Sequence, residues 1–192
     1  MTKTQRRSLI ALFSLVPVLS GCIPALIVGG ATAGYMVVED RRTSGVYVED
    51  QGLEFKVSSR IKDKHSDNVH INVTSFNRVV LLTGEVPSEE VKASVTEVAK
   101  SVENVRSVQN ETIVAGVSAL SARANDSYLT SKVKSRLVGT EGISANHIKV
   151  VSENNVVFLM GLVTHREADV AGEVARQTSG AIKVVKVFEY ID

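Results

Sequence analysis

The sequence predicts an α+β protein made of two tandem copies of one αββαβ module, each a three-stranded mixed sheet with two helices on one face. Two observations carry this. First, the chain matches itself: residues 71–110 and 148–187 align without a gap at an offset of 77 and share eleven of forty positions. The shared residues include Ile71/Ile148, Val73/Val150, Ser75/Ser152, Asn77/Asn154, Leu82/Leu159, Gly84/Gly161 and Val86/Val163. Second, within each copy a helical apolar stripe gives way to short apolar runs bounded by turn residues, and the order repeats.

Each copy opens on a helix. Leu53, Val57 and Ile61 recur every four residues, as do Leu129, Val133 and Leu137, with Asp50 and Asp126 placed as N-caps. A strand follows over 70–75 or 147–152. The polar turns Phe76-Asn77-Arg78 and Glu153-Asn154-Asn155 close hairpins. The next strands, 79–86 and 156–163, are almost wholly apolar, so they are expected to be central and covered on both faces. Second helices are expected over 88–102 and 165–178. Pro87 and Ser88 suit the start of the first, and Glu89 and Glu90 sit where the helix dipole favours acids. Last strands over 106–114 and 182–191 complete the modules. Gly84 and Gly161 are read as fold residues where a strand bends towards its helix.

Composition narrows the function. The chain has 22 basic and 21 acidic residues; without Lys3, Arg6 and Arg7 of the N-terminal segment the balance is 19 to 21, a net charge of −2. That balance argues against nucleic acid as a partner. A single cysteine excludes an intrachain disulfide and a cysteine metal cluster. Its position explains it. Residues 1–7 are basic, residues 8–19 apolar but too short to span a bilayer, and Leu19-Ser20-Gly21-Cys22 resembles the lipobox of bacterial lipoproteins. Residues 1–21 are therefore expected to be a leader and Cys22 the site of lipid attachment, carrying acyl chains such as palmitate that anchor without spanning. The remaining expected boundaries are a tether over 22–46, a first module over 47–115, a linker over 116–124 and a second module over 125–192. The linker is short enough that the modules should touch.

The motif Val80-x-Leu82-x-Gly84-x-Val86 recurs as Val157-x-Leu159-x-Gly161-x-Val163, each followed by a helix and then by Val105-x-x-Val108 or Ile182-x-x-Val185. These residues resemble the BON domain (bacterial OsmY and nodulation). From Cys22 onward, including Asp40-Arg41-Arg42-Thr43, the chain resembles the dual-BON-domain outer-membrane lipoproteins, the DolP group. With Ile23 rather than Asp after the cysteine, the resemblance implies the periplasmic face of the outer membrane of a Gram-negative cell. It also implies a role in envelope maintenance and recognition of anionic, phosphatidylglycerol-like phospholipid by the first helix of the second module.

That helix can be examined at 100° per residue. Leu129, Val133 and Leu137 form one stripe, while Tyr128 and Val138 fall on the other side with Ser131 and Ser135; Lys132 and Lys134 flank them and Arg136 lies at the boundary. Tyr128, Lys132, Lys134, Arg136 and Val138 are the candidate phospholipid-binding residues. The family pattern often has Trp where Tyr128 stands, which implies a smaller anchor here. The first module's helix instead mixes Glu54 and Asp63 with Lys56, Arg60, Lys62 and Lys64 around an off-stripe Phe55. It reads as a scaffold or a docking surface for envelope protein partners. The alternative function is therefore an adaptor for outer-membrane assembly or peptidoglycan-remodelling factors, held to the membrane by its acyl chains alone.

No phosphate-binding glycine loop and no nucleophile elbow occur. His65, His70, His147 and His165 show no ligand spacing, and His70 and His147 occupy matching places. No catalytic residue, metal site or cofactor is expected, and the protein is not read as an enzyme.

Overall fold

The computed structural model describes residues 40–65 and 69–192. The expected leader, Cys22 and residues 23–39 lie outside the described residues. The elements are α1 (Ser44–Lys64), β1 (His70–Phe76), β2 (Val79–Val86), α2 (Glu89–Lys100), β3 (Ser107–Asn110), β4 (Ile113–Val114), α3 (Leu120–Val138), β5 (Ile148–Glu153), β6 (Val156–Val163), α4 (His165–Arg176) and β7 (Lys183–Tyr190). A 3-10 turn, Ala145–His147, precedes β5. The two αββαβ repeats are thus both present.

In each module an antiparallel hairpin is joined by a parallel third strand. The order is β1-β2-β3, with β4 continuing alongside β2, and β5-β6-β7. Helices cover one face of each sheet. Leu53, Val57 and Ile61 of α1 meet Val80 and Leu82 of β2 and Val95, Val98 and Ala99 of α2. Leu129, Val133 and Leu137 of α3 meet Val157 and Leu159 of β6 and Ala168, Ala171 and Ala175 of α4.

The other faces of the two sheets pack on each other. Phe76 and Leu81 of the first module meet Phe158 and Met160 of the second, with Val79, Val151, Val185 and Val187 around them. Side chains alternate along a strand, so Val80 and Leu82 serve the first module's own core while Leu81 serves the joint. This is why β2 and β6 are apolar at nearly every position. Both modules belong to one compact unit, layered helix–sheet–sheet–helix.

Several expectations are corrected. Asp50 and Asp126 are not N-caps: α1 starts six residues before Asp50, with Thr43 as its cap, and α3 starts at Leu120, within the stretch expected to be linker. Both aspartates are buried in mid-helix and cap the hairpin turns instead. The turn residues Asn77, Arg78, Asn154 and Asn155 all have positive φ, the geometry of a two-residue type I′ hairpin. Their N–H groups donate to the carboxylates, at 2.8 and 2.7 Å for Asp50 and at 3.0 and 2.8 Å for Asp126. The third strand of the first module breaks at Glu111–Thr112, because the Asn110 side chain accepts from Thr112 N and Oγ1 and holds it out of the ladder. Gly84 and Gly161 lie inside strands, not at their ends. A Cβ there would lie 2.0 Å from His70 O and 2.4 Å from His147 O, so the close approach of the hairpin partner demands glycine.

The gapless repeat also slips by one residue between its second strand and second helix. Val80 pairs with Val108 in one sheet and the equivalent Val157 with Val184 in the other, an offset of 76 and not 77. The connection from β6 to α4 is one residue, Thr164, where that from β2 to α2 is two, Pro87 and Ser88, so everything from α4 onward is offset by 76. Ala181, not Ile182, packs where Val105 packs, and Ile182 takes the place of Arg106.

Candidate functional site

α3 is 19 residues long, about 28 Å from end to end. Its buried stripe is Asp126, Leu129, Val133 and Leu137. Leu120, Ala124, Tyr128, Ser131, Ser135 and Val138 fall within about 80° of one another on the opposite face. Three of these are large and exposed: Leu120 at 80%, Tyr128 at 65% and Val138 at 76%. Lys134 lies exposed at the margin. The face is an apolar and hydroxyl strip running the length of the helix.

The structure divides the five residues singled out on this helix. Tyr128, Lys134 and Val138 face solvent. Lys132 is half-buried: its Nζ donates to Ser179 O at 2.5 Å and sits 5.4 Å from the Tyr128 ring centroid. Arg136 donates to Gln177 O at 2.7 Å, binding the carbonyl end of α4. Arg60 makes the matching bond to Ser101 O at 3.1 Å after α2. Arg136 thus has a structural task common to both modules, legible in the alignment of Arg60 with Arg136 at offset 76. Leu120 was missed because it falls in the stretch expected to be linker.

A second constellation lies in the joint between the sheets. Glu85 and Glu153 are both buried and come from different modules. The bonds between modules are crossed: Asn154 Nδ2 donates to Glu85 Oε1 at 2.7 Å, and Asn72 Nδ2 donates to Glu153 Oε2 at 2.6 Å. His70 Nδ1 lies 3.0 Å from Glu85 Oε2 and 3.9 Å from Glu153 Oε1. Burial pushes the Glu85 carboxyl up, but Asn154, the Ser118 N–H and His70 outweigh it and the net direction is down. For Glu153, burial outweighs the Asn72 bond, and the carboxyl is held above the ordinary range. His70, Glu85 and Glu153 have the donor types and proximity to hold a cation, yet three of the four carboxylate oxygens accept hydrogen bonds from neighbouring groups. The cluster works as a polar clasp between the modules.

The tether residues are docked too. Arg41 donates to both carboxylate oxygens of Glu167, at 2.7 and 2.9 Å, and to Leu162 O at 2.8 Å, all in the second module. Arg42 pairs with Asp40 and Asp50 and lies 3.9 Å from the Phe76 ring centroid, in the first. Glu167 also closes a capping box with Thr164. The Arg41 guanidinium, with help from Thr164, holds its carboxyl down to about 2. A lowered carboxylate stabilises the fold above its unfolded value of 4.5 and loses that contribution as pH falls towards 2. In Arg41→Ala the Glu167 midpoint, read from its side-chain carboxyl resonance, is expected to move part-way back towards 4.5. An unmoved midpoint would show that Arg41 does not bind there.

The family model described as BON domain matches residues 49–116 and 125–192. The chain belongs to the BON-domain family. It is a dual-BON protein and 39% identical over 194 residues, all of both chains, to the outer membrane lipoprotein DolP of Haemophilus influenzae. It is 34% identical to the 21 kDa hemolysin of Actinobacillus pleuropneumoniae, with 79% of each chain covered. It is 30% identical to the osmotically-inducible protein Y of Escherichia coli, covering 81% of this chain and 79% of that one. The full-length likeness places this BON protein with the outer-membrane lipoproteins of Gram-negative bacteria. Among the described residues, no helix is long and apolar enough to cross a membrane.

Proposed function

We propose that the chain serves envelope maintenance from the periplasmic face of the outer membrane, held there by acyl groups on Cys22, and that α3 of its second BON domain binds anionic, phosphatidylglycerol-like phospholipid. The role is binding, with no catalytic step. The observation that carries it is the solvent face of α3. A tyrosine, a leucine and a valine stand exposed along one strip beside Lys132 and Lys134. Tyr partitions to headgroup depth, and each lysine near an anionic surface contributes about 1 kcal/mol. Residues 123–150 hold five basic and two acidic residues in a chain of net −2 without its leader. Local charge therefore opposes the global charge and favours an anionic surface.

The test is co-sedimentation of the mature chain carrying Cys22→Ser with phosphatidylglycerol or phosphatidylcholine vesicles. Wild type should pellet with the former alone. Tyr128→Ala/Lys134→Glu should weaken pelleting about tenfold or more while staying folded. Both positions are exposed, whereas Lys132 and Arg136 hold the α4 end and would confound the result. Pelleting with neither vesicle sinks the proposal. That outcome would favour the adaptor reading, in which outer-membrane assembly or peptidoglycan-remodelling proteins are bound. One observation supports this second reading: Val48 and Phe55 of α1, 68% and 76% exposed, lie seven residues apart on one face of the first domain.

A further inference from the structure

The turn between α4 and β7 carries an isoleucine that the fold does not use. Ile182 is 76% exposed. The one-residue slip of the repeat gives its expected core place to Ala181 and sets Ile182 where the first domain has Arg106. Arg106 is paired with Glu189. The next residue, Lys183, is exposed and has no ion pair among the described residues.

This turn runs along α3. Lys132 Nζ donates to Ser179 O at 2.5 Å. A Cβ at Gly180 would lie 3.6 Å from Leu129 Cδ1, and the φ of +105° at Gly180 brings the turn that close. At the far end Ile182 N donates to Asn155 O at 3.0 Å, and the Asn155 side chain accepts from Asn125 Nδ2 at 2.8 Å. Residues 179–182 therefore follow the helix from Lys132 back to Asn125, and Tyr128 lies between those two contacts on the solvent side. Lys132 ties the groups together, because the ammonium that binds the turn also lies against the Tyr128 ring.

We infer that the bilayer-facing surface is built from two elements: α3 and the α4–β7 turn, with Ile182 as a second apolar anchor beside Tyr128 and Lys183 as its cation. The inference rests on the lipid-binding assignment of α3 and enlarges its footprint. The occupant is an anionic bilayer. Tyr128 and Ile182 line neither the cavity of His70, Asp126 and Glu153 nor that of Val79, Arg106 and Phe188, and a projecting pair of side chains cannot enclose a small ligand. It can enter the headgroup layer while Lys132, Lys134 and Lys183 remain at the anionic surface. The first domain has no such anchor, because Arg106, paired with Glu189, stands where the second domain has Ile182.

The mature chain with Cys22→Ser has no cysteine, so Ile182→Cys or Tyr128→Cys creates a unique labelling site for an environment-sensitive fluorophore. With phosphatidylglycerol vesicles both labels should shift to the blue, and with phosphatidylcholine neither should. Unlabelled Ile182→Ser should partition about fivefold more weakly than wild type, and Lys183→Glu should weaken partitioning by at least as much at low salt. Melting temperatures should be unchanged. If the label at 128 shifts while that at 182 stays aqueous, and Ile182→Ser binds like wild type, the two-element surface is overturned and lipid binding by α3 stands. If wild type fails to bind, both readings fall.

Discussion

Asp50→Ala is expected to destabilise the protein by about 4 kcal/mol, because it strips the acceptor from four donors at once. Ser75 Oγ, Asn77 N, Arg78 N and Arg42 NH1 all converge on this one buried carboxylate, at 2.7 to 2.8 Å. Alanine leaves two turn N–H groups without their partner, and leaves a guanidinium that is 6% exposed with Asp40 as its remaining carboxylate. The hairpin turn pays twice, since its positive-φ residues are already costly away from glycine. Asp126→Ala should cost less, about 2 kcal/mol, since among the described residues the two turn N–H groups are the donors to it. Chemical denaturation of both variants measures the difference. Equal costs would mean that Arg42 and Ser75 add nothing.

Phe158→Ala is expected to cost about 3–5 kcal/mol and to change the kind of unfolding as well as its midpoint. Phe158 is 3% exposed and stands with Met160 against Phe76 and Leu81. Its neighbour Leu159 is fully buried in the second domain's own core. The two residues are adjacent on β6 but point to opposite faces. Leu159→Ala should therefore weaken the second domain while leaving the sheets docked. Phe158→Ala should open the joint, separating one denaturant transition into two and raising the radius of gyration measured by solution scattering. A single unchanged transition in Phe158→Ala would show that the clasp of Glu85, Glu153, Asn72 and Asn154 holds the domains without the apolar contact.

The legible parts of the sequence were those written in local pattern. The spacing of Leu53, Val57 and Ile61 gives α1 its buried stripe, and the bounds of β2 and β6 coincide with apolar runs closed by Asn-containing turns. Asp50 and Asp126 stood beside their stripes and resembled helix caps, since an acid near a helix start is a local signal. Their hairpin partners lie 25 to 29 residues away in sequence, and no local pattern reports such a distance. Tyr128 and Val138 were visible on the helical wheel because exposure on a helix follows from its period. Arg136 looked like the other cations of α3, and only its partner across the module separates it from them.

The repeat, the element order and the family are determined by the sequence alone, because each is carried by side-chain type at fixed spacing. Tertiary structure decided the rest. Alternation along β2 and β6 states that two faces are apolar but not what covers the second one, and the answer is the other domain's sheet. Ile182 matched an inward position in the gapless alignment. The pairing of β6 with β7 fixes its side by register, and in a strand a shift of one residue exchanges inside for outside.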